Sequence, residues 1–206
     1  MKSLGLAFSF LFLFTPPLYA QSVGEVLRLQ GTLRIQGPES KGLAKIGQKL
    51  YQGDQLETGS NSKAELKLVD GTLIRLSEKS QFTLEEFKYN TQNSIRKAMF
   101  SQAQGYFRVI VGKVGMMKAK SRFEVKTPMA IIGVKGTDFF AGPLKVGEVN
   151  IALFEGGPVE IKNAGGVLLL KNAGEGVNIQ NLNKMPKATK QWPAARLAKA
   201  KSLVEF

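Results

Sequence analysis

Apolar and polar residues alternate with a period of two through much of this chain, which is the pattern of strands that bury one face. The clearest example runs from Lys63 to Leu76, where alanine and leucine share one face and lysine and glutamate occupy the other. Asp70-Gly71 interrupts this run, and an Asp-Gly pair between alternating segments favours a two-residue turn with positive φ. The pattern therefore predicts a β-hairpin.

Similar alternation recurs on both sides of this hairpin. Val149–Leu153 and Val159–Ile161 flank Glu155-Gly156-Gly157, which predicts a second hairpin. Leu27–Gly31 and Leu33–Gly37 repeat one short phrase that ends in glycine, and we expect these two segments to pair with each other. Two further alternating runs predict half-buried strands: Phe107–Val111 and Phe123–Thr127.

The spacing of the turn signals predicts the fold class. Clusters of glycine, asparagine and aspartate separate many short alternating runs, a pattern typical of all-β domains. We predict an all-β antiparallel sandwich or β-roll of many short strands, in one domain that covers residues 21–180. Residues 181–206 form a polar, basic linker and then one short C-terminal helix, which Pro193 opens at Ala194 and which runs to Val204.

The N-terminus is typical of a secretory signal peptide. Lys2 precedes an apolar run from Leu4 to Phe14, and a helix-breaking stretch follows and ends at Ala20. The apolar run is shorter than the roughly 20 residues that span a bilayer. We therefore predict that residues 1–20 are a leader cleaved after Ala20, and that the mature chain is periplasmic or otherwise exported, without a transmembrane span.

The amino-acid composition limits the catalytic and metal-binding chemistry that the chain can support. The chain contains no cysteine and no histidine, which excludes disulfides, thiolate nucleophiles, imidazole bases and the common zinc sites. We predict no metal, no cofactor and no enzymatic activity. A hydrolase that uses carboxylates is the remaining catalytic alternative.

Two patterns bear on that alternative. Glu85 and Glu86 are adjacent, and neighbours in a strand are expected to point to opposite faces. Ser60–Lys63 and Ser94–Lys97 match the Ser-x-x-Lys pattern of serine acyl enzymes, but the partner motifs of that class are missing.

The segment Phe123–Phe139 resembles the hallmark of FecR domains. In that hallmark an extended strand, a Thr-Pro step and an apolar run lead to a Gly-Thr pair followed by an aromatic residue. Here Thr127-Pro128, Gly136-Thr137 and Phe139 occupy those positions. Between Val23 and Ile161 the similarity also includes Gly47–Gly59, Asp70-Gly71-Thr72, Gly105-Tyr106-Phe107 and Glu155–Val159.

The resemblance implies an extracytoplasmic, β-rich domain. FecR domains are best known from transmembrane regulators that relay an outer-membrane signal to a sigma factor. This chain is expected to be a stand-alone exported relative that lacks the cytoplasmic segment and the membrane helix of those regulators. Lys135 stands where the family often has arginine.

The hallmark has a structural interpretation. Pro128 has no amide donor and biases Thr127 towards an extended conformation, while Gly136 suits a positive φ or a close backbone approach. The same structural motif includes Thr137, Phe139, Asp70 and Gly71. In the alternative interpretation, Lys135 and Asp138 line a recognition loop.

Charge is distributed unevenly along the chain. Residues 21–89 carry a net charge of +1 and residues 90–206 carry +11, which suits an anionic envelope glycan or glycolipid. The predicted binding residues are Lys113, Lys118, Lys120, Arg122 and Lys135. The alternative is a generally positive surface without a ligand. Nucleic acid is not expected, because the chain is exported and its aromatic residues are not interleaved with the basic clusters.

Two non-catalytic functions follow. We favour a bacterial envelope module that binds or scaffolds an envelope protein or an anionic glycan or glycolipid. The alternative is an extracytoplasmic component of a FecR-type signal-transduction pathway that regulates a sigma factor.

The leader generates the first prediction. The exported protein should begin at Gln21, because the charged, apolar and small-residue order of residues 1–20 directs cleavage after Ala20. Intact-mass measurement of protein purified from the envelope checks this. A mass that still includes residues 1–20 would contradict it.

Overall fold

The computed structural model describes residues 20–90, 95–112, 121–187 and 191–206. In this part of the chain there are seventeen strands and one helix. In chain order they are β1 (Gly24–Gln30), β2 (Leu33–Gln36), β3 (Lys41–Leu43), β4 (Lys49–Leu50), β5 (Gln55–Thr58), β6 (Lys63–Leu68), β7 (Leu73–Leu76), β8 (Gln81–Asn90), β9 (Ile95–Gln104), β10 (Phe107–Ile110), β11 (Ser121–Lys126), β12 (Ile131–Val134), β13 (Thr137–Gly142), β14 (Val149–Gly156), β15 (Val159–Asn163), β16 (Gly166–Leu170), β17 (Gly176–Ile179) and α1 (Ala194–Val204).

The strands form two sheets. Sheet A has eight strands in the order β17-β14-β13-β10-β7-β6-β1-β4, and sheet B has nine in the order β16-β15-β12-β11-β9-β8-β5-β2-β3. Neighbouring strands are antiparallel, apart from the parallel pair β9 and β11. One hydrophobic core includes inward side chains from both sheets. The prediction of an all-β antiparallel sandwich or β-roll of many short strands, with one short C-terminal helix, is therefore confirmed, and the two sheets are consistent with a sandwich.

Phenylalanine rings cross-link the core between the sheets. The Phe82 ring of sheet B lies 5.6 Å from the Phe100 ring of its own sheet and 5.6 Å from the Phe107 ring of sheet A. Phe123 extends this group in sheet B, and Phe139 extends it in sheet A. Aromatic pairs at such distances stabilise a core beyond the area that they bury.

The predicted hairpin around Asp70-Gly71 is confirmed, because β6 pairs with β7. Its connection is longer than the predicted two-residue turn: the N–H of Leu68 donates to the carbonyl of Thr72 (2.9 Å), so three residues lie between them. Gly71 has a φ of 81°. In this longer turn the Asp70 carboxylate is buried and accepts hydrogen bonds from Thr72.

Two other predicted strand pairings are wrong. β14 belongs to sheet A and β15 to sheet B, so the chain crosses between the sheets at Gly156-Gly157 instead of turning back. In the same way, β1 and β2 lie in different sheets. Alternation cannot distinguish these cases, because both a hairpin and a sheet-to-sheet crossing keep apolar side chains facing the shared core.

The C-terminal helix α1 packs on the outer face of sheet A, where Ala200 and Val204 contact a second apolar cluster that includes Phe140 and Ala152. Polar contacts hold its last turn. The Lys63 ammonium donates to the carbonyls of Ser202 and Glu205, as cations at helix C-termini commonly do. Among the described residues, no helix is long and apolar enough to cross a membrane.

Candidate functional site

Four glycine-containing segments lie together at one end of the sandwich, which we call the turn end. It comprises Val69–Gly71, Gly112, Lys135–Gly136 and Glu155–Gly157. A Cβ atom added to Gly112 would lie 2.5 Å from the carbonyl oxygen of Asp70, and one added to Gly156 would lie 2.5 Å from that of Gly136. Backbones this close leave no room for a side chain, so the turn end requires glycine at both positions.

A buried ion pair joins the two sheets at the turn end. Arg96 lies in β9 of sheet B, and its Nη1 donates to Oδ2 of Asp70, in the β6–β7 turn of sheet A, over 3.2 Å. The two side chains are 2% and 0% exposed. The Asp70 carboxylate also accepts hydrogen bonds from the N–H and the hydroxyl of Thr72, at 3.0 Å each. These bonds offset the cost of burying the carboxylate charge.

The hydrogen bonding of Arg96 depends on this ion pair more than the hydrogen bonding of Asp70 does. Within the described residues its Nε and Nη2 have no hydrogen-bond partner, and its guanidinium lies 5.2 Å from the centre of the Phe123 ring. Burial lowers the pKa of Arg96, and the neighbouring Asp70 carboxylate opposes that shift. Loss of Asp70 would leave a buried positive charge with no anionic partner.

The hallmark residues lie along strands that connect the two ends of the sandwich. At the end opposite the turn end, the hydroxyl of Thr127 accepts the N–H of Ala130 (3.1 Å) around Pro128. β12 then leads to Gly136, whose φ of 81° disfavours side chains. Thr137 and Phe139 follow in β13 and are buried. These positions support the structural interpretation of the hallmark, which stays a prediction.

Asp138 faces α1 rather than the exposed turn. Its carboxylate accepts two hydrogen bonds from Arg108, at 2.8 and 2.7 Å, and Arg108 also donates to Glu205, just beyond the end of α1 (3.0 Å). The hydrogen bonds that Arg108 donates to Asp138 raise the pKa of Arg108. Lys135, in contrast, is exposed. The structure therefore separates the two residues that the recognition-loop interpretation combines.

The structure describes two of the five predicted binding residues. Arg122 donates to Glu124 (2.7 Å) on the outer face of sheet B. Phe123 pairs with Val134 in the β11–β12 register, so Arg122 and Lys135 are the next residues towards the turn end on neighbouring strands. Lys113, Lys118 and Lys120 lie outside the described residues.

The residues proposed for hydrolysis take part in other contacts. Glu85 pairs with Lys126 (2.9 Å) and Glu86 with Lys97 (2.7 Å). The prediction that these glutamates point to opposite faces is wrong, because an irregularity in the β8–β9 register between Leu84 and Glu86 turns both outward. The Lys63 ammonium donates hydrogen bonds to carbonyls at the end of α1, and Ser94 lies outside the described residues. In the described residues no group of three or more acidic side chains could hold a metal ion.

The sequence analysis included Arg96 only in the net charge of residues 90–206, although the position of Arg96 held a usable signal. The inward residues of β9 include Ala98 and Phe100, and Arg96 has the same parity. A charged residue on the apolar face of a strand indicates a buried partner. No comparable signal linked Arg108 to Glu205, because they are 97 residues apart.

Comparison with known proteins identifies relatives of this architecture. The family model described as FecR protein matches residues 54–157, just over half of the chain. Two crystal structures of a candidate anti-sigma factor from Parabacteroides distasonis have TM-scores of 0.55 and 0.54 at 20% and 19% identity, and each match covers 70% of this chain. The chain spans 62% of the length of those chains. No curated protein matches the chain.

The turn end generates the second prediction. Gly136→Val should destabilise the domain by about 1–3 kcal/mol, because a β-branched side chain is strained at positive φ. Lys135→Ala removes an exposed side chain and should change stability by no more than about 0.5 kcal/mol. Thermal melts of both variants beside the parent check this. If Gly136→Val melts like the parent but loses its partner, the turn is a recognition site and the structural interpretation is wrong.

Proposed function

The chain belongs to the FecR protein family, and we propose that it is a non-catalytic, extracytoplasmic regulatory module that binds a protein partner through its turn end. In this proposal the chain acts in a FecR-type signal-transduction pathway and is located in the bacterial envelope. The partner is a component of that pathway, and the exported chain contributes recognition rather than chemistry.

One observation carries the proposal: the polar residues of the family motif are occupied by internal contacts. Asp70 pairs with Arg96, Asp138 pairs with Arg108, and Thr127 closes its own turn. At the turn end this leaves Lys135 and Glu155 exposed, with Val69 52% exposed beside them. A surface of scattered charged and apolar groups on rigid turns suits a protein partner, and it offers no paired nucleophile and base.

The FecR family match favours a signalling role over passive binding. The anti-sigma factor structures share this fold. Those matches are below the identity at which partners could be transferred, so they support the architecture alone. The family match includes the β6–β7, β12–β13 and β14–β15 connections, which build most of the turn end.

A second candidate function is binding of an anionic glycan or glycolipid. It is favoured by Lys135, which makes no ion pair within the described residues and follows a strand next to that of Arg122. The basic residues predicted at Lys113, Lys118 and Lys120 would add to this charge. Binding of this kind falls steeply as salt rises, because neutralised phosphates or sulfates release counterions.

Site-specific photo-crosslinking tests the proposed function. A photoreactive residue at Lys135 should capture a discrete protein in intact envelopes, because this position is exposed at the turn end. The matched control is Val146, which is fully exposed at the other end of β13 and β14. It should capture nothing discrete.

Other outcomes separate the two candidate functions. A salt-sensitive adduct that contains carbohydrate or lipid and no protein would contradict the signalling proposal and favour the glycan or glycolipid. Equal capture of the same protein at Lys135 and Val146 would contradict recognition through the turn end.

A further inference from the structure

Four strands lie at the edges of the two sheets, and β16 differs from the others in composition. β3 and β4 have three and two residues, and β17 lies where Trp192 packs against Gly176. β16 has the sequence GVLLL and, among the described strands, pairs only with β15. Natural edge strands are usually shortened, charged or covered, because unpaired backbone groups can add another strand. β16 is aliphatic instead.

The outward backbone groups of β16 can be identified from its hairpin. Asn163 and Gly166 close a turn of two residues and exchange backbone hydrogen bonds, and such pairs alternate along an antiparallel ladder. Leu168 and Leu170 therefore bond to β15, whereas the N–H and carbonyl groups of Val167 and Leu169 point away from it. In the described part of the chain, nothing accepts from or donates to these outward groups.

Apolar side chains surround this edge. Val167 and Leu169 are 45% and 41% exposed, and the strand registers place Ile131, 37% exposed, in the same outer row as Val167. Met185, 57% exposed, lies against Gly166 at the start of the strand. An exposed apolar group beside unpaired backbone is typical of an interaction site.

The charges around the edge are mainly positive. Lys162, Lys171 and Lys184 are exposed, and none of them makes a salt bridge within the described residues. The hairpin has one acidic side chain, Glu160, in the same outer row as Leu169. Lys171 follows the last residue of β16, and the carbonyl of Lys184 accepts from Asn163 at the other end of the strand (2.9 Å). Both ends of the edge are therefore basic.

We propose that β16 binds an extended segment of a partner protein as an added β-strand. Backbone groups of Val167 and Leu169 form the new ladder, apolar residues of the segment lie beside these two side chains, and acidic residues at both of its ends face Lys171 and Lys184. This site lies outside the family match at residues 54–157, and its Lys171 end adjoins Gly157 of the turn end.

A second copy of this chain suits the edge less well. Antiparallel pairing of two β16 strands about Leu168 would bring Lys171 of one copy towards the Lys184 end of the other, so that like charges meet. The contact would also rest on one five-residue strand, whereas a stable interface uses about 20–30 residues on each side.

Proline at position 169 tests the proposal. Leu169→Pro removes an outward N–H but no bond to β15, and edge strands tolerate proline at such positions. Leu169→Thr is the matched control, because it also loses the apolar side chain but retains the N–H. Both variants are first compared with the parent by thermal melting, and fluorescence anisotropy then measures binding of a short synthetic peptide that alternates valine and threonine between glutamates.

The parent should bind this peptide and should not bind the same peptide with lysines in place of the glutamates. Leu169→Pro should weaken binding about tenfold or more relative to Leu169→Thr, a loss that corresponds to about 1.4 kcal/mol. Equal binding by folded Leu169→Pro and Leu169→Thr, or no binding by the parent, would overturn the proposal. Self-association of the parent that Leu169→Pro abolishes would also overturn it, because the occupant would then be a second copy.

Discussion

The buried ion pair between Arg96 and Asp70 is the contact on which the turn end depends. It joins a strand of sheet B to a turn of sheet A where neither side chain reaches solvent. A buried pair of this kind contributes little net stability, because desolvation opposes the attraction, but loss of one partner is costly. The pair therefore specifies which turn faces which strand. The close approach of Gly112 to the carbonyl oxygen of Asp70 then has a fixed backbone to pack against.

This constraint separates the residues that build the domain from those that can recognise a partner. The motif shared with the FecR family supplies buried aromatic rings, glycine turns and internally paired aspartates. Recognition is then left to exposed groups that this framework holds rigidly. The proposed sites follow that division: Lys135 lies on a turn next to a glycine of positive φ, and β16 lies on the edge of a sheet fixed by the core.

The alternation of apolar residues was sufficient to predict several of the strands and the fold class, because burial on one face imposes a period of two. The C-terminal helix was predicted from the start signal at Pro193. It could not assign strands to sheets, so β14 and β15 were paired incorrectly. The register irregularity beside Glu86 reversed the expected direction of a glutamate side chain, and no local signal predicts such an irregularity. Contacts between distant residues, such as Arg108 with Glu205, depend on where α1 docks, so periodicity could not predict them.

Comparing two aspartate-to-asparagine substitutions tests the central role of the buried pair most directly. Asp70→Asn retains a side chain that can accept from Thr72 but removes the anion from Arg96, so the free energy of unfolding should fall by about 3–5 kcal/mol. Asp138→Asn is the matched control, because Arg108 is partly exposed and retains its ion pair with Glu205. The free energy of unfolding should fall clearly less for Asp138→Asn than for Asp70→Asn. Denaturant unfolding of both variants gives the comparison. An Asp70→Asn loss equal to or smaller than that of Asp138→Asn would contradict the account.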